Sequence, residues 1–170
     1  MNKILLREGE PLRFSQVAVL APTPEKVQRM KDAYHKQGTM SEWIRDIVTA
    51  DNIDGVLKGT SFEAELNFNY DAVPDMEFEI LRPLSGHSAQ WFPRTADVFA
   101  KQGASGMSHM GVHVEDIVAY IASHPLLATS VLLQLTRTSH HSGTSRRYLY
   151  ALVDTVQSLG FITKLIQRVE

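Results

Sequence analysis

The chain presents one order of elements twice, and this repetition constrains its fold more than any other feature. An apolar strand at 16–21 precedes a helix start at Thr23, and a second apolar strand at 109–114 precedes a helix start at Asp116. In each half, further strand-like segments follow the helix. Short apolar runs bounded by Gly, Pro and Asp are typical of strands. The sequence therefore predicts an α+β fold made of two βαβββ units.

The first helix has the clearest boundaries in the sequence. Thr23 is a favoured N-cap residue, Pro24 suits the first helical position, and Glu25 complements the helix dipole. Gly38 is a good stop, because glycine accepts the left-handed conformation that often ends helices. Asp116 is expected to cap the second helix. The predicted apolar face of the first helix consists of Val27, Met30 and Tyr34.

The remaining apolar segments are predicted to be strands joined by turns. Residues 43–49 fit a helix or a strand, and their β-branched content favours a strand, with a turn at 51–55. Residues 65–70 and 76–81 flank a turn that contains Pro74, a pattern typical of an antiparallel hairpin. The second half is predicted to contain strands at 131–138, 148–153 and 161–169, a polar loop at 139–145 and a break at 154–160.

The predicted organisation is one structural domain with two modules and an irregular segment between them. A chain of 170 residues is typical of a single domain and buries about 70% of its unfolded surface. The irregular segment carries Trp91 and Phe92, which we expect to pack onto their own domain, to cover a pocket mouth or to form a dimer contact. The expected divisions are an N-terminal arm at 1–13, a first module at 14–83, a linker or lid at 84–107 and a second module at 108–170.

Composition excludes several classes of function. The net charge is −2, whereas a broad nucleic-acid surface needs a clear excess of basic residues. The chain has no cysteine, which excludes disulfides and thiolate metal sites. No apolar run approaches the roughly 20 residues of a membrane span, and the apolar run after Met1 is too short for a signal peptide. We therefore expect a cytoplasmic protein that binds neither nucleic acid nor membrane.

Alternation along the strands places several polar side chains on shared faces. His109 and His113 lie on one face of their strand, and Glu77 and Glu79 on one face of theirs. Lys164 lies among apolar neighbours on the last strand. A buried lysine is costly unless it is paired, although it can also extend its ammonium to a sheet rim. These groups occupy matching points of the two repeats, which predicts a common pocket.

A basic segment near the second hairpin offers a further contact for an anionic group. Arg137 lies close in sequence to two histidines and two more arginines, which are His140, His141, Arg146 and Arg147. Guanidinium groups bind carboxylates and phosphates through paired N–H groups. The same composition suits a solvated turn, so the sequence alone supports both interpretations.

These segments resemble the vicinal oxygen chelate superfamily, the glyoxalase, bleomycin-resistance and extradiol-dioxygenase group. The resemblance covers residues 14–168, and its most specific stretch is SHMGVHVEDI at 108–117. It implies paired βαβββ modules that form a cup-shaped curved mixed sheet with helices on the outer face, often in a homodimer. The other segments that carry it are QVAV at 16–19, FEILRP at 78–83 and GFITKLI at 160–166.

The resemblance implies four ligand positions, which correspond here to Gln16, Glu79, His109 and Lys164. The last position departs from the family, which usually has a glutamate there. A charged lysine has three donors and no acceptor, so it cannot ligate a cation. Gln16, Glu79 and His109 could still hold Zn, Ni, Mn or Fe, since catalytic sites often have three protein ligands. Alternatively, the Lys164 ammonium takes the electrostatic role of the ion beside Glu79 or Glu77, or acts as a base when neutral.

The resemblance implies two kinds of function, both with a small-molecule ligand. The first is a metal-dependent enzyme with isomerase, epimerase, lyase or ring-cleavage chemistry on an oxygen-rich molecule. Glu79, Glu77 and Lys164 are its candidate catalytic residues, and His113, Trp91 and Arg137 its candidate substrate-binding residues. The second is a non-catalytic sequestration protein of the bleomycin-resistance type, in which Trp91 walls an apolar ligand site. The lysine at position 164 favours the second function or a degenerate metal site.

Overall fold

The computed structural model describes most of the predicted elements. The described residues are 4–7, 10–38, 41–49, 53–54, 63–84, 106–124, 131–141 and 144–169. The predicted linker or lid lies outside them from residue 85 to residue 105, and Trp91 and Phe92 with it. No helix among the described residues combines the length and apolar character needed to cross a bilayer.

The predicted order of elements is confirmed in both halves. β3, α1, β4, β6 and β7 form the first βαβββ series, and β8, α2, β9, β10 and β11 form the second, so the α+β class is correct. In chain order, the elements are β1 (Ile4–Arg7), β2 (Glu10–Leu12), β3 (Phe14–Leu20), α1 (Pro24–Lys36), β4 (Ile44–Thr49), β5 (Ile53–Asp54), β6 (Glu63–Val73), β7 (Met76–Pro83), β8 (Gly106–His113), α2 (Ile117–Ser123), β9 (Val131–His141), β10 (Thr144–Val153), α3 (Val156–Leu159) and β11 (Ile162–Arg168).

The chain divides into two compact units, each named here after its longest helix. The α1 unit comprises the described residues within Gln16–Thr49 and Ser61–His109. The α2 unit comprises those within Met1–Ser15, Ala50–Thr60 and Met110–Glu170. β3 and β8 contribute residues to both units.

The α1 unit is a mixed sheet with a helix on one face. Its strands are hydrogen-bonded in the order β4-β6-β7-β3, with β3 parallel to β7 and the other pairs antiparallel. Thr23 caps α1 as predicted, since its Oγ1 accepts from the Lys26 N–H at 3.3 Å. The side of the helix that carries Val27 packs onto Phe78 and Ile80 of β7. The predicted apolar face of α1 is therefore confirmed, because Met30 and Tyr34 pack against the same cluster.

The α2 unit contains two sets of strands that pair antiparallel. β11, β10, β9 and β5 are neighbours in that order, and β1 pairs with β2 in a separate two-stranded sheet. Asp116 caps α2 as predicted, because its Oδ1 accepts from the Ala119 N–H at 2.9 Å. The Gln167 side chain ties β11 to α2, since its Oε1 accepts from the Ile117 N–H at 2.9 Å.

Several predicted turns and loops are wrong in their detail. The polar loop predicted at 139–145 belongs mostly to strands, because β9 and β10 pair as far as Thr144 and His141. Backbone ladders form irrespective of side-chain polarity, so a polar composition does not exclude a strand. Part of the turn predicted at 51–55 is β5, and the break at 154–160 contains the short helix α3, which ends at Gly160 with φ +83°. The arm at 1–13 contains two strands, whereas its sequence indicates at most one short strand.

Candidate functional site

The polar side chains predicted for the site share one face of the α1 unit. In the parallel register of β3 and β7, Gln16 lies beside Glu77 and Ala18 beside Glu79. Phe78 and Ile80 point to the opposite face, where α1 packs. Side chains of in-register neighbours point the same way, so Gln16, Glu77 and Glu79 lie on the face away from the helix.

A hydrogen-bonded chain links these residues to His109 of β8. The Gln16 amide donates through Nε2 to Glu77 Oε1, and its Oε1 lies 3.2 Å from His109 Nε2, within hydrogen-bond distance. The second carboxylate, Glu79, places Oε1 3.8 Å from the same imidazole nitrogen. Two oxygens from two strands therefore converge on one nitrogen from a third.

The polar side chains of this cluster are almost completely buried, which costs solvation free energy. Exposure is 3% for Gln16, 1% for His109 and 0% for Glu79. Polar groups removed from water lose several kcal/mol of solvation, of the order of 2–7 kcal/mol each, unless partners replace it. Glu77 is only half-buried, so it is the carboxylate of this face that solvent or a ligand reaches.

Ser108 completes the surroundings of the imidazole. Its Oγ lies 3.0 Å from His109 Nδ1, and the side chain is fully buried. A hydroxyl can donate or accept, so Ser108 supports either tautomer of His109. With Nε2 protonated, the imidazole donates to Gln16; with Nδ1 protonated, it donates to Ser108 and leaves the Nε2 lone pair directed at the two oxygens.

The separations in this cluster can be compared with those around a divalent cation with three protein ligands. Bonds of about 2.1 Å to oxygen and nitrogen place neighbouring ligand atoms roughly 3.0–3.4 Å apart. The separation from His109 Nε2 to Gln16 Oε1 is 3.2 Å, within that range, whereas the separation to Glu79 Oε1 is 3.8 Å, a few tenths of an ångström longer. Among the described residues no group of three or more His, Cys, Asp or Glu side chains could hold a metal, so a three-ligand site with His109 and Glu79 would need the Gln16 amide oxygen.

The other predicted site residues belong to the α2 unit or lie outside the described side chains. Lys164 belongs to the α2 unit, where its ammonium lies 4.8 Å from the centre of the Tyr150 ring and the residue is 8% exposed. His113 is exposed in the same unit, with Nδ1 2.7 Å from Ser15 Oγ. The backbone of Arg137 is part of β9, but its side chain, like Trp91, lies outside the described part of the protein. The meeting of Lys164 with the other three positions stays a prediction.

Ser108 is the residue that the sequence did not single out. Strict alternation assigns it to the face opposite His109, together with Met110 and Val112. In the structure both Ser108 and His109 are buried and their side chains interact. The one sequence signal available for this pair is a hydroxyl residue directly before a histidine on a predicted strand.

Known structures share this fold, although no family model and no curated protein matches the sequence. A mutant of 4-hydroxymandelate synthase from Streptomyces coelicolor superposes with a TM-score of 0.60 at 13% identity, over 93% of this chain and 48% of that one. A variant of methylmalonyl-CoA epimerase from Streptomyces coelicolor, in complex with 2-nitronate-propionyl-CoA, gives a TM-score of 0.51 at 13% identity, over 94% of this chain and 99% of that one. The chain has the fold of these proteins.

At 13% identity these likenesses show a shared fold, in agreement with the α+β fold class that the sequence predicts. A methylmalonyl-CoA epimerase in complex with methylmalonyl-CoA and NH4+ gives a TM-score of 0.50 at 14% identity, over 93% of this chain and 95% of that one. The chain spans about half the length of the 4-hydroxymandelate synthase and nearly the whole length of the epimerases.

Proposed function

We propose that this protein is a small-molecule enzyme of the vicinal oxygen chelate type. In this proposal, a divalent cation is held by Gln16, Glu79 and His109. The observation that carries it is the convergence of Gln16 Oε1 and Glu79 Oε1 on His109 Nε2, in a cluster where no residue is more than 3% exposed. When bound, such an ion polarises the oxygens of a substrate as a Lewis acid.

The two carboxylates of this face have different roles in the proposal. Glu79 is fully buried beside His109, which suits a ligand that substrate does not displace. Glu77 is half-buried and accepts a hydrogen bond from Gln16, which holds it in place while leaving part of it accessible. Glu77 is therefore the residue of this pair that can take a proton from a substrate carbon or oxygen. Ser108 orients the imidazole, as groups around metal ligands commonly do.

The substrate is proposed to be a small oxygen-rich molecule with two neighbouring oxygens. The epimerases of the same fold are in complex with methylmalonyl-CoA and with 2-nitronate-propionyl-CoA. The superposition with these epimerases supports a common fold, but a sequence identity of 13–14% does not specify the reaction. We therefore propose isomerase, epimerase or lyase-type chemistry.

One observation favours the alternative of a non-catalytic ligand-binding protein. The side chains of Gln16, Glu77, His109 and Ser108 already form hydrogen bonds with one another. Such a network is compatible with a pocket wall that needs no ion. The two candidate functions therefore differ in whether a cation enters this cluster.

Metal binding by the purified protein tests the proposal. The protein is treated with chelator, and binding of Zn, Mn, Ni and Fe is measured by calorimetry and elemental analysis. We expect one ion per chain, with loss of binding in His109→Ala and retention in His35→Ala, which changes an exposed histidine of α1. Absence of stoichiometric binding, or equal binding by both variants, would overturn the proposal and favour the ligand-binding alternative.

A further inference from the structure

A second polar cluster lies on the other face of the α1 unit. Glu65 of β6 is 8% exposed in its side chain and accepts from two arginines, Arg45 of β4 at 2.9 Å and Arg82 of β7 at 2.8 Å. Both bonds end on the same oxygen, Oε2, and both start from an Nη2 nitrogen. The other oxygen, Oε1, accepts from Asn67 Nδ2 at 3.1 Å. Each guanidinium therefore uses only one of its five N–H groups on Glu65.

Positive charge exceeds negative charge around this carboxylate. Lys31 of α1 is close enough to be attracted by Glu65 and repelled by Arg45, and its ammonium lies 5.8 Å from the centre of the Trp43 ring. Burial lowers the pKa of Lys31 from its ordinary value of 10.5. Arg45 and Arg82 contact Glu65, and Lys31 interacts with it electrostatically, so these four groups together carry a surplus of two positive charges. The exposed Glu25 at the start of α1 is attracted electrostatically to Arg82. It is attracted to Arg29 as well, so this additional negative charge has an additional positive charge beside it.

The hydrogen bonding of this cluster is incomplete. Arg82 Nε is buried and has no hydrogen-bond partner among the described residues, and the same is true of Asn67 Oδ1. A buried donor without a partner costs about 1–3 kcal/mol and commonly marks the place of a bound water or ion. Two open guanidinium groups and an ammonium are the donor set that binds tetrahedral oxyanions.

We propose that Arg45, Arg82 and Lys31 form a second binding site, for a phosphoryl group of a small molecule. A phosphate carries about −1.5 to −2 charges at pH 7, which matches the local surplus of positive charge. The group binds to the N–H donors that Glu65 leaves unused. This site is on the face that carries α1, whereas Glu79 and Gln16 point to the opposite face of the same strands, so it is distinct from the candidate metal cluster.

Calorimetric titration with inorganic phosphate and with pyrophosphate tests this site, with chloride used to hold ionic strength constant. We expect saturable binding that weakens about tenfold in Arg45→Gln and in Lys31→Gln, because each loses a charge-assisted contact. Lys36→Gln is the matched control, since it removes an exposed positive charge from the end of α1. Its affinity should equal that of the wild type. No saturable binding, or equal weakening in all three variants, would overturn the proposal.

A further variant separates a binding role from a purely structural one. Glu65→Gln removes the internal anion that competes for the arginines, so phosphate affinity should rise even if the protein becomes less stable. Unchanged or weaker phosphate binding by a folded Glu65→Gln protein contradicts the proposed site. Malonate serves as a carboxylate probe at the same concentrations. Binding of malonate as tight as that of phosphate would overturn the assignment to a phosphoryl group.

Discussion

His109 and Glu79 lie 30 positions apart in the sequence, on β8 and β7, yet 3.8 Å separates His109 Nε2 from Glu79 Oε1. Neither residue is more than 1% exposed. The Gln16 amide oxygen lies 3.2 Å from the same imidazole nitrogen, so two side-chain oxygens approach one nitrogen in a buried cluster. Strand pairing therefore brings residues that are distant in sequence into one cluster. Gln16 contacts both Glu77 and His109, so a substitution at this position tests the cluster directly.

Replacing the Gln16 amide by a carboxylate should destabilise the protein at neutral pH. Gln16→Glu removes the donor that binds Glu77 and places two carboxylates in contact at a position that is 3% exposed. Like charges in such a site disfavour ionisation of both groups, so the free energy of unfolding should fall by about 1–3 kcal/mol at pH 7. Added Zn or Mn should restore part of this loss, because a cation relieves the repulsion. Urea denaturation with and without metal measures both effects.

Gln28→Glu is the control for this experiment. Gln28 Nε2 also donates to a carboxylate, Asp32 Oδ1 at 2.8 Å, but both residues are exposed on α1. The same chemical change there should alter the free energy of unfolding by less than about 0.5 kcal/mol, with no response to metal. If both variants behave alike, the buried cluster is not a cation site.

The sequence could predict the elements of this fold because local patterns specify them. Thr23, Pro24 and Gly38 delimit α1, and alternation in β7 separates Glu79 from the side chains that face the helix. The βαβββ order then follows from the sequence of predicted strands and helices along the chain. These signals lie within a few residues of one another, so no knowledge of tertiary contacts is needed.

The sequence could not predict features that depend on register between distant segments. Glu65 meets Arg45 and Arg82 only because β6 pairs with β4 on one side and β7 on the other. The contact between Ser108 and His109 joins sequence neighbours that strand alternation assigns to opposite faces, so the alternation rule does not predict it. The homodimer, the cytoplasmic location and the roles of His113, Trp91 and Arg137 stay predictions, because the described contacts do not test them.

Acid should destabilise the α1 unit through Glu65. Burial opposes ionisation of this carboxyl, but hydrogen bonds from Arg45, Arg82 and Asn67 outweigh it and hold the pKa at about 2, against an ordinary value of 4.5. A pKa that is lower in the folded state stabilises the protein above pH 4.5, and this contribution disappears as the pH falls from 4.5 to 2. The shift corresponds to about 3 kcal/mol. Denaturant unfolding measured between pH 6 and pH 2 should show the loss.

Glu65→Gln should flatten this part of the pH profile, because an amide has no charge to lose. Glu42→Gln, at an exposed position of the same unit, should leave the slope as in the wild type. A wild-type slope retained in Glu65→Gln would show that other groups cause the acid sensitivity.

The cap of α1 should contribute measurably to stability. Thr23 Oγ1 accepts from the Lys26 N–H at 3.3 Å, which satisfies one of the free N–H groups of the first turn. Thr23→Ala should lower the free energy of unfolding by about 1 kcal/mol, whereas Thr23→Ser, which keeps the hydroxyl, should stay close to the wild type. Thermal melting of the three proteins measures this difference, and equal melting temperatures would show that the hydroxyl does not stabilise the helix.

Lys164→Glu tests the sequence-based prediction that position 164 acts together with Gln16, Glu79 and His109. Within its own unit, the ammonium lies 4.8 Å from the centre of the Tyr150 ring, an attractive arrangement that a carboxylate would reverse. Some loss of stability is therefore expected, and Lys164→Met, which removes the charge but keeps a long side chain, is the control for it. If position 164 faces the cation, the interaction energy of each pair of unit charges at ~4 Å is about 4 kcal/mol at an effective dielectric constant of ~20. Calorimetry should then show a metal affinity at least tenfold higher in Lys164→Glu than in Lys164→Met. Equal affinity in two folded variants would remove Lys164 from the site.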